Sequence, residues 1–250
     1  MPDINPLFII GTILFLSSIV QGAIGFGYGP FAVTFLVWTG RSLSEAVAFV
    51  AVSVMIQVLV STYQLRAHVP WKRVFPAAGI RLVALPVGIA ILLTIDGLDR
   101  SQIKQVVGVI ILVAASVQLL WKIEPQENLH KAWTYVAFSV SGLMQGMTSM
   151  GGPAAVLWVM AHKWTNQQSR GFLLALFMLG VPFQIAILYF TAHGNIVWAF
   201  QYGLVFAPLV ALGAAIGVRL GNLISKQTLK RIAMTMLLIT ALASILGPLL

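Results

Sequence analysis

Two stretches hold the residue types from which this chain can build a polar site: Gln145-Gly-Met-Thr-Ser-Met-Gly-Gly-Pro153 and an earlier twin, Gln21-Gly-Ala-Ile-Gly-Phe-Gly-Tyr-Gly-Pro30. Gln21 and Gln145 bring amides, and Thr148 and Ser149 bring hydroxyls. Gly22, Gly25, Gly27, Gly29, Gly146, Gly151 and Gly152 bring backbone that no side chain covers. Such a set binds anions: unpaired N–H groups at a helix start carry partial positive charge and point at a ligand. Pro30 and Pro153 suit the first position of the helical arm after each cluster. The competing reading is that the glycines only let helices pack closely. It serves for one isolated glycine and is weaker for a duplicated cluster that ends in proline.

Both clusters lie inside long apolar runs, 7–38 and 133–160. Glycine weakens a helix and proline lacks the N–H its interior needs, so each run is predicted to open at its middle. Within lipid, broken backbone survives only where protein covers it or where it lines a polar cavity. Breaks at matching places in two halves are the pattern of a transporter's binding site.

Arg81 is the one charge well inside a predicted span, and either meets an anion there or snorkels toward the basic Arg73. Gln57 and Gln184 can donate to a substrate or tie helices together. Glu45 stands at a helix start, where an acid favours the N-terminal dipole; the matching position in the second half is the neutral Gln168. His68, His130, His162 and His193 fall in loops or at helix ends without ligand spacing, so no metal site is expected, and no cofactor either. No βαβ pattern surrounds Gly25-Phe-Gly-Tyr-Gly29, which excludes a nucleotide fold. Nor is there a Walker motif.

The composition demands a membrane. With 59% hydrophobic and 8% charged residues over 250 positions, the chain is far from the roughly 25% charge of a soluble domain. Its mean hydropathy of +0.95 comes from runs long enough to cross a bilayer of about 30 Å. Zero cysteines exclude disulfides. No basic residue precedes the first run and no small-residue cleavage site follows it, which speaks against a removable signal peptide. The net charge of +9 lies mostly in short loops, where it orients a membrane protein rather than meeting nucleic acid; it also suits an anionic substrate.

Stepping along the chain, spans are expected over about 46–63, 74–95, 103–121, 171–192, 197–220 and 232–250 besides the two broken runs. Asp96, Asp99 and Arg100 form a turn placed to cap the helix from Ile103. Residues 122–131 make the longest polar connection, dividing the chain at 125/126. The halves repeat: Gln21 aligns with Gln145, Pro30 with Pro153, Gln57 with Gln184, Leu82-Val-Ala-Leu85 with Leu209-Val-Ala-Leu212, and Lys104 with Lys230, at offsets of 123 to 127. The expected fold is an all-α polytopic membrane protein of two four-element repeats.

Loop charge arbitrates how the repeats insert. If each broken run crosses once, giving eight crossings, Arg41, Arg100, Lys104, Lys163, Arg170, Arg219, Lys226, Lys230 and Arg231 share one side against five on the other. If each is a re-entrant hairpin, only Arg41, Arg100 and Lys104 face eleven opposite. The positive-inside bias favours the hairpins. So does length, since 7–38 as one helix would measure roughly 48 Å. A hairpin plus three crossings inverts the second repeat and puts both termini outside.

At these residues the chain resembles the sulfite exporter TauE/SafE family. The resemblance rests on the two glycine-rich motifs, on the Pro- and Gly-spaced third and seventh elements and on Leu229-Lys-Arg-Ile, and it spans essentially the whole chain. It implies a bacterial inner-membrane secondary transporter for small anions: sulfite, sulfoacetate and other organosulfonates, or related carboxylates. The coupling ion would be a proton or sodium. A passive anion channel, which needs a continuous polar pore, and an intramembrane enzyme, which needs a nucleophile–base pair or metal ligands, are the alternatives.

Overall fold

A computed structural model describes residues 6–120, 125–126, 129–192 and 196–246. Residues 1–5 and 247–250 at the termini, Lys122 in the polar connection and His193 lie outside the described residues, as does the side chain of Lys230. Among the described residues the chain is α-helical, with an isolated bridge between Gln126 and His162 as its one extended pairing. Ten α-helices follow in order: α1 (Pro6–Ile24), α2 (Tyr28–Trp38), α3 (Leu43–Leu65), α4 (Trp71–Ile95), α5 (Arg100–Leu120), α6 (Lys131–Thr148), α7 (Gly152–Met160), α8 (Asn166–Thr191), α9 (Ile196–Leu223) and α10 (Lys226–Leu246). Six of them, α1, α3, α4, α5, α8 and α9, are long and apolar enough to cross a bilayer. The protein is an all-α, multi-pass membrane protein.

The long helices begin earlier than their apolar runs because polar residues cap them. Ser42 accepts the N–H of Glu45 at the start of α3. Thr165 and Gln168 form a reciprocal capping box at the start of α8, satisfying N–H groups that would otherwise lack partners. Asp96 does not cap the helix that follows it. Its carboxylate instead accepts the N–H groups of Leu43 (2.8 Å) and Ser44 (3.2 Å) and the Ser44 hydroxyl, closing the start of α3 from across the fold.

Both broken runs open where the glycines stand, α1 ending at Ile24 and α6 at Thr148. Pro153 occupies the first turn of α7. Pro30 comes third in α2 rather than first, still within the turn whose N–H groups have no intrahelical acceptor.

Packing fixes the direction of each arm. α1 lies along α9, and α6 along α4. Gly11 meets Phe206 and Leu209, while Gly22 meets Ala214 and Val218, so α1 and α9 run the same way. α3 also runs with α9: Phe49 lies against Trp198 and Phe206, and Gln57 reaches the Ser18 carbonyl, beside Gly213. With α1 and α3 parallel, α2 between them must turn back. The same holds for α6, α7 and α8 against α4, through Gly142 on Arg81, Gly146 on Leu85 and Ile89, and Gly171 on Val69. The chain doubles back at both glycine-rich breaks.

Candidate functional site

The first turn-back is made by Gly27, which holds φ 114° as the N-cap of α2. A side chain disfavours that left-handed backbone. Gln21, one turn before the end of α1, reaches over the break and accepts the N–H of Tyr28 through Oε1 at 3.0 Å. The Tyr28 hydroxyl, fully buried, shares a 2.7 Å hydrogen bond with Ser53 on α3. The second turn-back has no glycine at its left-handed residue. Ser149, at φ 56°, ends α6 there, its N–H donating to the Gln145 carbonyl at 2.8 Å.

The two tips meet. A Cβ on Gly29 would overlap the carbonyl oxygen of Ser149, and one on Gly152 would stand 3.0 Å from Cβ of Phe26. The N-terminal ends of α2 and α7 therefore face one another, in backbone contact at Gly29 and Ser149 and against the Phe26 side chain at Gly152. Between them lies a cavity of about 20 Å3, room for the centre of one water. Gln21, Gly27, Tyr28, Gly29 and Pro30 line it from the first tip, and Gln145, Ser149, Met150, Gly152 and Pro153 from the second. Val50 and Val54 of α3 and Phe177, Val181 and Gln184 of α8 close the walls.

The amides around it are buried and mostly committed. Gln184 Nε2 donates to the Gln145 carbonyl and to the Ser149 hydroxyl, both at 2.9 Å, while Gln184 Oε1 accepts from Gln145 Nε2 at 3.0 Å. Gln145 Oε1 has no hydrogen-bond partner among the described residues.

Seven of the residues singled out from the sequence thus share this cavity: Gln21, Gly27, Gly29, Gln145, Ser149, Gly152 and Gln184. Others serve packing. Gly22 lets α1 approach the Ala214 carbonyl of α9, Gly146 lets α6 approach the Leu85 carbonyl of α4, and Gly25 sits on the backbone of Arg170. Thr148 bonds within its own helix to the Met144 carbonyl, and Gln57 donates to the Ser18 carbonyl at 3.4 Å. Gly151 faces away from the cavity, toward Ser141 and Arg81. Arg81 does not snorkel: it is fully buried behind the second tip.

Sequence reasoning missed Phe177 and the valine walls, whose apolar letters give no signal in an apolar chain. It also missed Arg170, read as a loop cation. Arg170 is 1% exposed and donates to the carbonyls of Gly22 (2.7 Å) and Val218 (3.0 Å) and to Asn222 (2.8 Å), tying the C-terminal ends of α1 and α9 to the start of α8. At that same end His162 packs among Trp158, Trp164 and the Trp158 carbonyl. Burial holds its imidazole below the usual histidine range, against the opposing pull of the Trp158 carbonyl and with a smaller push from the charge of Arg73.

The arrangement presents two helix N-termini and a ring of amides to one small buried space, with no acid among the residues lining it. Helix N-termini carry partial positive charge and have the chemistry to receive a small anion. The family model for the sulfite exporter TauE/SafE matches residues 9–244, nearly the whole chain. No curated protein and no solved structure matches it.

Proposed function

The chain belongs to the sulfite exporter TauE/SafE family, and on that premise we propose that it is a secondary transporter of a small sulfur oxyanion or related carboxylate, with its site where the two glycine-rich tips meet. One observation carries the reading: Gly29 and Ser149 are in backbone contact beside a buried cavity onto which the N-termini of α2 and α7 converge. Backbone N–H groups there cost no side-chain entropy and suit any oxyanion small enough to enter.

The way the halves interlock supports alternating access. In this reading residues 1–125 and 126–250 are inverted repeats forming one membrane domain, and each half's first helix pairs with a helix of the other, α1 with α9 and α6 with α4. Rocking one pair against the other opens the tips toward alternate sides. The cavity, with room for one water, is an occluded arrangement that must widen to admit sulfite or a sulfonate. Positive-inside bias puts the end bearing Arg41, Arg100 and Lys104, with both termini, in the periplasm of a bacterial inner membrane. Coupling would be to a proton or sodium gradient.

Purified protein in proteoliposomes tests the proposal. Sulfite, sulfoacetate and acetate flux should saturate with concentration and respond to an imposed proton or sodium gradient. Unsaturable flux that ignores both gradients would instead identify a passive channel, and no flux or binding of any of the three would remove the reading.

A further inference from the structure

Arg81 stands near the middle of α4 with its side chain wholly buried. Its Nε, Nη1 and Nη2 all lack hydrogen-bond partners among the described residues. What surrounds it is the back of the second tip: a Cβ on Gly151 would come 2.5 Å from Nη2, and Cζ lies 4.5 Å over the ring of Phe177. Phe177 is itself a wall of the cavity. The described acids, Glu45, Asp96 and Asp99, sit near the α2–α3 and α4–α5 turns and do not reach it.

A guanidinium keeps its charge in proteins and offers five donors in a planar fork. Burying it unpaired costs far more than a ring face returns. The matching helix of the other half, α9, has no cation before Arg219. Arg81 therefore has no counterpart in the other half; unlike Arg170, whose guanidinium is held by two carbonyls and Asn222, it is an uncommitted cation, separated from the cavity by the Phe177 ring.

We propose that Arg81 is the charge partner of the transported anion, reached when Phe177 turns aside, and that it makes the substrate an oxyanion with two or more oxygens on one centre. This rests on the transport reading above. A fork of parallel N–H groups pairs bidentately with sulfite, a sulfonate or a carboxylate, which a spherical halide cannot match. One guanidinium pairs with one anionic group, so hydrogensulfite, a carboxylate or one end of sulfoacetate completes the site.

The test uses full-length protein in detergent, with sulfite, sulfoacetate and chloride as probes and thermal melting and equilibrium binding as readouts. Wild type should bind sulfite or sulfoacetate and be stabilised by it, with chloride giving no comparable shift. Arg81→Gln should weaken that binding at least tenfold, yet melt no lower than wild type without ligand, since it removes an unpaired buried charge. Arg81→Lys, a point charge without the fork, should bind with intermediate affinity. Unchanged affinity in Arg81→Gln, or a lower ligand-free melting temperature, overturns the inference alone and makes Arg81 a structural tie. Equal stabilisation of wild type by chloride overturns the oxyanion assignment. Wild type that binds neither sulfite nor sulfoacetate overturns the transport reading and this inference with it.

Discussion

Arg81 and Arg170 are both buried arginines in membrane-length helices, and their surroundings give them opposite energetics. Arg170 has two carbonyls and an amide oxygen within 3.0 Å. The carbonyls belong to the C-terminal stretches of α1 and α9, where helix dipoles favour a cation. Removing this side chain would strand those acceptors together. Arg170→Met should therefore destabilise the protein by about 2–4 kcal/mol, read as a lower denaturant midpoint in detergent. A midpoint equal to wild type would show that water replaces all three contacts. Melting thus separates the two arginines: loss of Arg170 lowers it and loss of Arg81 does not.

At the scale of elements, the first broken run shows two separate demands on glycine. Gly27 is needed for its backbone angle, φ 114°, while the atoms nearest an added Cβ would be side-chain carbons of Val20 at 3.3 Å and Phe31 at 3.6 Å rather than backbone. Gly29 is helical and is needed because the Ser149 carbonyl occupies the place of its side chain. Alanine at the two positions should therefore behave differently. Gly27→Ala pays a conformational cost of about 1–2 kcal/mol and should retain measurable flux. Gly29→Ala must push the tips apart and should abolish flux in protein that still inserts. Flux in vesicles and melting in detergent check both. Normal flux from Gly29→Ala would mean that the contact of the tips is incidental to transport.

For the whole molecule the decisive feature is that α2 and α7 turn back. In a bilayer this puts the Arg41 and Leu98 turns on one side, and His68, Gln126 and Asn166 on the other. The native chain has no cysteine, so single cysteines at these positions report sidedness cleanly. Positions 41 and 98 should label from outside intact cells, and 68, 126 and 166 only after permeabilisation. Position 166 decides: labelling it together with 41 and 98 would mean eight plain crossings.

The membrane class, the spans and the two breaks were legible in the chain itself, because each depends on local chemistry. Apolar runs have nowhere to go but lipid, and a cluster of glycines ending in proline weakens a helix locally, so the runs open beside Gly25 and Gly27 and just before Gly151. Helix starts were misjudged by a few residues, since Ser42 and Thr165 are polar letters that belong to the helices they cap. The site was half legible. Glycines of one motif look alike in sequence, yet Gly22 and Gly146 serve packing while Gly29 and Gly152 face the cavity. Only the fold decides this, because it sets which helix of the distant half lies against each face. The same is true of the arginines. A guanidinium's role depends on the acceptors within 3 Å of it, and for Arg170 these come from 148 residues earlier in the chain and from 48 and 52 residues later. No local pattern encodes a distance of that kind; the packing of α1, α8 and α9 does.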